Sequence, residues 1–206
     1  MPRRNARTRA QGGIPSWPHE RLHHAWWAIP DQLLAGEYPG AKRRALTAAK
    51  IAVLLDAGIT SIVDLTTTRD RLAPYTDTLH AVAAALARTV RYHAHPIPDM
   101  GVTPQTGYDA VLAHIRSEMD SGQVVYVHCW GGMGRTTTVV GALLIDQGLD
   151  YSTAIVRIAW MRAATRKAHI RCPKTRVQHD LLRIRSGLPP TPHTARDGVN
   201  PPLPLW

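Results

Sequence analysis

A β-branched run, Val124, Val125 and Val127, leads straight into His128-Cys129-Trp130 and a glycine-rich turn made by Gly131, Gly132 and Gly134, after which helical spacing resumes over residues 138–147. A strand apolar at consecutive positions has both faces covered, the habit of a parallel strand sandwiched between helices. Three glycines in four residues let the chain curl tightly from strand into helix without Cβ clashes. That strand–turn–helix unit requires a layered α/β architecture, with any site at the carboxyl end of the strand.

The surrounding pattern alternates in the same way. Residues 33–35 open a first strand, and residues 46–57 place Ile51, Leu54 and Leu55 on one helical face before Gly58. Residues 61–65 read as a buried strand, 76–87 as a helix and 90–92 as a short β run. Pro96 and Pro98 then enforce a loop, His95-Pro-Ile-Pro-Asp99. Helices are expected over 104–119, 152–163 and 175–186. The expected fold is α/β, a mainly parallel central sheet flanked by helices, in a single domain over residues 25–187. Residues 1–24, with Arg3, Arg4, Arg7 and Arg9, read as a basic flexible tail, and 188–206 as a Pro-rich one.

A formal charge of +10 favours anionic partners without choosing among them, and part of it sits in the basic tail. No apolar run approaches the roughly 20 residues that span a bilayer, and the Arg-rich start lacks the apolar stretch of a secretory signal. A cytoplasmic protein without a membrane span is therefore expected. Cys129 and Cys172 are the two cysteines, too few for a disulfide framework, and no CxxC or His/Cys cluster offers ligand spacing. Neither metal nor other cofactor is expected, and His93, His95 and His114 read as loop or surface residues.

The segment after the strand is built to hold an anion. Glycines let the backbone N–H groups of Trp130, Gly131, Gly132, Met133 and Gly134 turn inward, and the helix that follows adds unsatisfied donors and the positive end of its dipole. Arg135 adds a planar fork matched to phosphate oxygens. Cys129 lies at the floor, where a helix N-terminus and a cation can draw a thiol from about 8.5 down to roughly 3.5–7.5 and so supply a thiolate nucleophile. Thr136 is placed to assist the sulfur as a leaving group, and His128 to orient the Cys129 backbone.

His128-Cys-Trp-Gly-Gly-Met-Gly-Arg-Thr136 resembles the His-Cys-x5-Arg-Ser/Thr signature of the protein tyrosine and dual-specificity phosphatase superfamily. Ile97-Pro-Asp99 is similar to that family's mobile acid loop and precedes the nucleophile, as it does there; low-molecular-weight phosphatases have the reverse order. Cys172-Pro-Lys-Thr175-Arg-Val-Gln178 is similar to the segment that opens the last helix of bacterial and atypical members, and Trp27-Ala-Ile-Pro-Asp-Gln-Leu-Leu-Ala-Gly36-Glu-Tyr-Pro39 to their opening strand and turn. The resemblance implies a phosphomonoester hydrolase working through a cysteinyl-phosphate, with Asp99 as general acid and then base, and Gln178 near the hydrolytic water. Asp64 and Asp70 are rival carboxylates read as structural or ion-paired. One departure stands at Thr137, where the family usually has Gly.

The substrate implied is a phosphorylated protein or a small phosphomonoester. Because the five residues from Trp130 to Gly134 carry no charge, a polyphosphorylated lipid fits less well. Nucleic acid is permitted by the charge but by no motif, leaving RNA 5′-phosphatase as one alternative. A phosphate-binding pseudophosphatase, motivated by Thr137, is the other. Trp26, Trp27 and Trp160 read as core or rim aromatics, Trp130 as a pocket-rim residue, and Cys172 as a buried thiol rather than a redox partner of Cys129.

Overall fold

The computed structural model describes residues 16–192. Five strands, β1 (Ala25–Ile29), β2 (Leu33–Gly36), β3 (Ser61–Asp64), β4 (Arg91–Ala94) and β5 (Val125–His128), form one sheet in the order β1-β2-β5-β3-β4. Only the β1–β2 hairpin pairs antiparallel; β2–β5, β5–β3 and β3–β4 are parallel. Helices α1 (Arg44–Asp56), α2 (Thr76–Ala85), α3 (Gln105–Asp120), α4 (Arg135–Asp146), α5 (Tyr151–Met161) and α6 (Arg176–Arg185) cover both faces. The mainly parallel sheet flanked by helices is the fold expected from the sequence.

Side-chain alternation sorts the strands between two cores. Trp26, Leu33, Ala35, Val63, Val125 and Val127 face the larger one, with residues of α3, α4, α5 and α6. Ala25, Trp27, Leu34, Ile62 and Tyr126 face the other, with Ile51, Leu54 and Leu55 of α1 and Leu79 and Ala83 of α2. Helix α4 is buried from Arg135 to Ile145, so it is apolar nearly all round after its first turn and forms the centre of its layer. This sandwich holds the turn between β5 and α4 rigidly from both sides.

Two expectations need correction. Residues 16–24 were assigned to a tail, yet Trp17, His23 and His24 are buried. Trp17 Nε1 donates to His23 O at 2.6 Å, and Glu20 accepts from Ala25 N at 3.2 Å and from Arg166 N at 3.0 Å, so this segment is pinned to a distant loop by polar contacts that leave no periodic trace. The β1 strand falls at the opening strand that the resemblance implied around Trp27, whereas β4 runs slightly later than residues 90–92. The remaining tail residues, 1–15 and 193–206, lie outside the described residues.

Candidate active site

Cys129 follows β5 and is 3% exposed, at the bottom of a cavity of about 250 Å³. The same cavity is lined by Asp99 and Met100 from the acid loop, by Trp130, Gly131, Met133 and Gly134 from the turn, and by Lys174 and Gln178 from the start of α6. Thus the structure brings Cys129, Asp99, Gln178 and most of the turn together from three separate stretches of chain. Trp130, 56% exposed, stands at the rim, shared with a neighbouring groove lined by Thr67, Thr68, Arg69, Asp70, Pro98 and Asp99. The groove and the cavity meet at Asp99 and Trp130.

The glycines of the turn serve different ends. Gly132 has φ +72°, and a Cβ there would sit 2.7 Å from the Gly36 carbonyl carbon, so the turn lies directly on the end of β2. Gly134 faces the Gln178 amide, 3.1 Å from where its Cβ would be. No backbone N–H from Trp130 to Arg135 donates a hydrogen bond to another described residue. Those donors, with the first N–H groups of α4, are left without partners among the described residues, as helix N-termini are. Lys167 Nζ, donating to Gly131 O at 2.9 Å, braces the outside of the turn.

Arg135 is 1% exposed and heavily tethered. Its Nη1 and Nη2 donate to Asp70 Oδ2 and Oδ1 at 2.8 and 3.0 Å, and Nη1 also reaches Ile97 O at 3.1 Å. Nη2 lies 3.0 Å from Asp99 Oδ1, while Nε is buried with no partner. Burial opposes the guanidinium's charge, but the Asp70 hydrogen bonds and the nearby Cys129, Asp70 and Asp99 charges hold its pKa above the ordinary value. Asp70, its side chain 1% exposed, is pushed up by burial but held below the usual carboxylate range by Arg135 and by Thr67. The ion-pair reading of Asp70 was right in kind; its partner is Arg135, not the adjacent Arg69 or Arg71. Asp99, by contrast, is 48% exposed at its side chain.

Beneath Cys129 runs a buried polar chain. His128 Nδ1 lies 3.3 Å from Cys129 O, which can only accept, so the imidazole is protonated at Nδ1 and its Nε2 accepts from Tyr75 Oη at 2.7 Å. Burial pushes the His128 pKa down, against the Asp64 carboxylate 3.9 Å away, which keeps the ring neutral. Asp64 in turn accepts from Tyr92 Oη and Thr66. His128 thus meets the Cys129 carbonyl, and the Asp64 carboxylate is engaged by Tyr92 and Thr66.

Other assignments come out differently. Thr136 Oγ1 points towards Gly36 O at 3.4 Å, tying α4 to β2. Gln178 is fully buried: Oε1 accepts from Lys174 N and Thr175 N, and Nε2 donates to Gly101 O at 3.2 Å, joining α6 to the end of the acid loop. Thr137 is buried in the first turn of α4 without positive φ; its hydroxyl donates to Met133 O, with Gly134 O 3.0 Å away. Where Gly would leave a gap, this Thr fastens the turn. Tyr75, Lys167 and Lys174 were not singled out from the sequence, because only the assembled fold brings them beside the turn. His93 and His114, expected to lack ligand geometry, come within reach of one another and of Glu118.

A family model, "PTP-SAK: Swiss Army Knife protein, DSP-PTPase phosphatase domain", matches residues 24–179. The chain belongs to this phosphatase-domain family. The phosphatase domain also superposes on solved structures: Tk-PTP in its active form, with 20% identity, TM-score 0.62, and 84% of this chain and 99% of that one covered. Kinase associated phosphatase with its catalytic-site cysteine replaced by serine gives 20%, 0.64, 81% and 96%. A human tyrosine phosphatase-like serine/threonine/tyrosine-interacting protein gives 18%, 0.58, 79% and 95%. At these identities the structures share the fold of the phosphatase domain and nothing finer. No curated protein matches the chain. Among the described residues no helix is long and apolar enough to cross a membrane.

Proposed function

We propose that the protein hydrolyses phosphomonoesters through a cysteinyl-phosphate, acting on phosphorylated side chains of proteins and on small aryl phosphates. The observation that carries this reading is the single cavity shared by buried Cys129, the glycine cradle and the exposed carboxylate of Asp99. Cradle N–H groups and Arg135 Nε bind the phosphoryl oxygens. A phosphate also competes with Asp99 for Arg135 Nη2, so substrate binding releases the acid as it fixes the electrophile. Asp70 keeps both Nη atoms in place throughout.

In the first step the Cys129 sulfur attacks phosphorus, the P–O bond to the leaving group breaks, and Asp99 gives its proton to the departing oxygen. In the second, the Asp99 carboxylate takes a proton from water as that water attacks phosphorus; the S–P bond breaks, and thiolate and inorganic phosphate result. The cradle acts most strongly where charge accumulates on the equatorial oxygens, which is where preorganised donors lower a barrier. Lys174 at the cavity edge adds positive charge for an anionic peptide or ester.

The test is hydrolysis of an aryl phosphate by the purified full chain with chelator present, followed by a phosphopeptide panel. Cys129→Ser is expected to abolish turnover while vanadate still binds, since no base is placed to deprotonate a hydroxyl. Undiminished hydrolysis by that variant would sink the reading.

A further inference from the structure

Outside the lining of the active-site cavity, the edge strand β4 and helix α3 gather three metal-type donors. His114 and Glu118 stand one turn apart on the same face of α3, and His93 faces them from β4. One ligand atom from each lies within 4.8 Å of the others, and the two imidazole centroids are 4.1 Å apart. His93 Nε2, His114 Nε2 and Glu118 Oε2 are all buried and make no hydrogen bond of ordinary geometry, although the Ser61 hydroxyl lies near the Glu118 carboxylate. Glu118 itself is only 7% exposed.

Each such orphan costs about 1–3 kcal/mol when nothing meets it, so three in one cluster call for a shared partner. Two imidazole nitrogens and a carboxylate oxygen present lone pairs, and a cation accepts all three at once. The carboxylate is already oriented for this: Arg91 Nη1 donates to Glu118 Oε1 at 2.9 Å and leaves Oε2 for the cluster, the kind of outer contact that ligating carboxylates keep. A nitrogen-rich donor set suits zinc-class ions, whereas magnesium and calcium require oxygen on nearly every side. With metal–ligand distances of about 2.0–2.2 Å, donors in a tetrahedral set lie about 3.3–3.5 Å apart, so the side chains need to close by at most about 1.5 Å.

We propose that His93, His114 and Glu118 form a zinc-class transition-metal site that ties β4 to α3. β4 enters, and α3 leaves, the stretch of chain that carries Asp99, so the metal fixes both ends of that loop. The site stands independently of the phosphatase reading, because its assay is binding rather than turnover.

The experiment uses the full chain stripped with chelator and carrying Cys129→Ser, so that the loop thiol cannot compete for metal. Zn²⁺ is titrated calorimetrically and Co²⁺ by absorption. We expect one equivalent bound, Co²⁺ d–d bands without thiolate charge transfer, and a Tm that rises with Zn²⁺ concentration. His93→Ala, His114→Ala and Glu118→Gln should each weaken Zn²⁺ binding by at least about 10–100-fold, since losing even an outer partner costs that much. Melting each variant in chelator shows whether it folds; Glu118→Gln keeps shape and helix propensity and serves if the others do not. Absence of stoichiometric binding, or parental Zn²⁺ affinity in a folded variant, overturns the site.

Discussion

Replacing Asp70 with Asn tests whether the arginine is held by the fold or by its substrate. Asp70 accepts from both Nη atoms of Arg135 at 2.8 and 3.0 Å, with both side chains 1% exposed. Removing one partner of such a buried pair costs about 3–5 kcal/mol when the other is stranded. Arg135 is not fully stranded, because Ile97 O and the Asp99 carboxylate remain, so we expect a smaller loss of about 2–3 kcal/mol in stability by urea unfolding. The catalytic loss should be larger in proportion. With Asp70 gone, Arg135 draws Asp99 as its one remaining carboxylate, misplacing both the fork and the acid, and a shift of about 1 Å costs on the order of 10²-fold in kcat. Because Asp70 is held below the usual carboxylate range, its contribution is present above that range and disappears as pH falls through the lowered value, so wild type and Asp70→Asn should converge in acid. Steady-state kinetics on an aryl phosphate, beside urea melts at neutral and acidic pH, give all three readings. Unchanged stability and kcat at neutral pH would refute the idea that Asp70 positions Arg135.

Asp99→Ala should lower kcat by about 10²-fold or more with little change in KM and should remove the alkaline limb of the pH profile; an unaltered profile assigns the acid elsewhere. Gly132→Ala, at φ +72° and with Gly36 backbone 2.7 Å from the new Cβ, should cost at least about 2 kcal/mol and most activity, whereas Gly131→Ala meets only the flexible end of Met133 and should be tolerated; equal effects would contradict the docking of the turn on β2. Burial pushes the Glu37 carboxyl up, but Lys167, Lys50 and His23 bring it from 4.5 down to about 2. At about 1.4 kcal/mol per unit, that is on the order of 3 kcal/mol. The advantage over Glu37→Gln should be full above pH 4.5 and vanish as pH falls towards 2 in thermal melts; a gap independent of pH would mean Glu37 acts through shape alone. Thr137→Gly should lose about 1–2 kcal/mol by thermal melting and leave the wild type the more active, and rescue of an inert wild type by Gly would support the pseudophosphatase instead.

The strand–turn–helix half of the candidate site was legible before any folding because it is local. Cys129, the three glycines and Arg135 fall within seven consecutive positions between a strand and a helix, and short-range geometry alone curls such a segment into a tight turn. Strand alternation at Val125 and Val127 and helical spacing at Ile51, Leu54 and Leu55 likewise report burial one residue at a time, so the sheet and its two helical layers followed from periodicity.

What tertiary structure alone decided is which distant groups answer those local ones. Asp70, 65 residues before Arg135, sat among other arginines that offered nearer charges, and only the approach of its 3₁₀ turn to the β5–α4 corner selects the partner. Gln178 entered the reading only through the resemblance, and it is the packing of α6 against the turn that buries its amide between Gly134 and Gly101. His93 and His114 were separated by the acid loop and by most of α3, and they meet because parallel pairing sets β4 at the sheet edge beside that helix. Trp17 and Glu20 lay in a stretch without periodicity and are ordered by hydrogen bonds, Trp17 to His23 within it and Glu20 to Arg166 far outside it. Hydrophobic period is written along the chain; the pairing of buried charges depends on through-space distance, which the chain order does not encode.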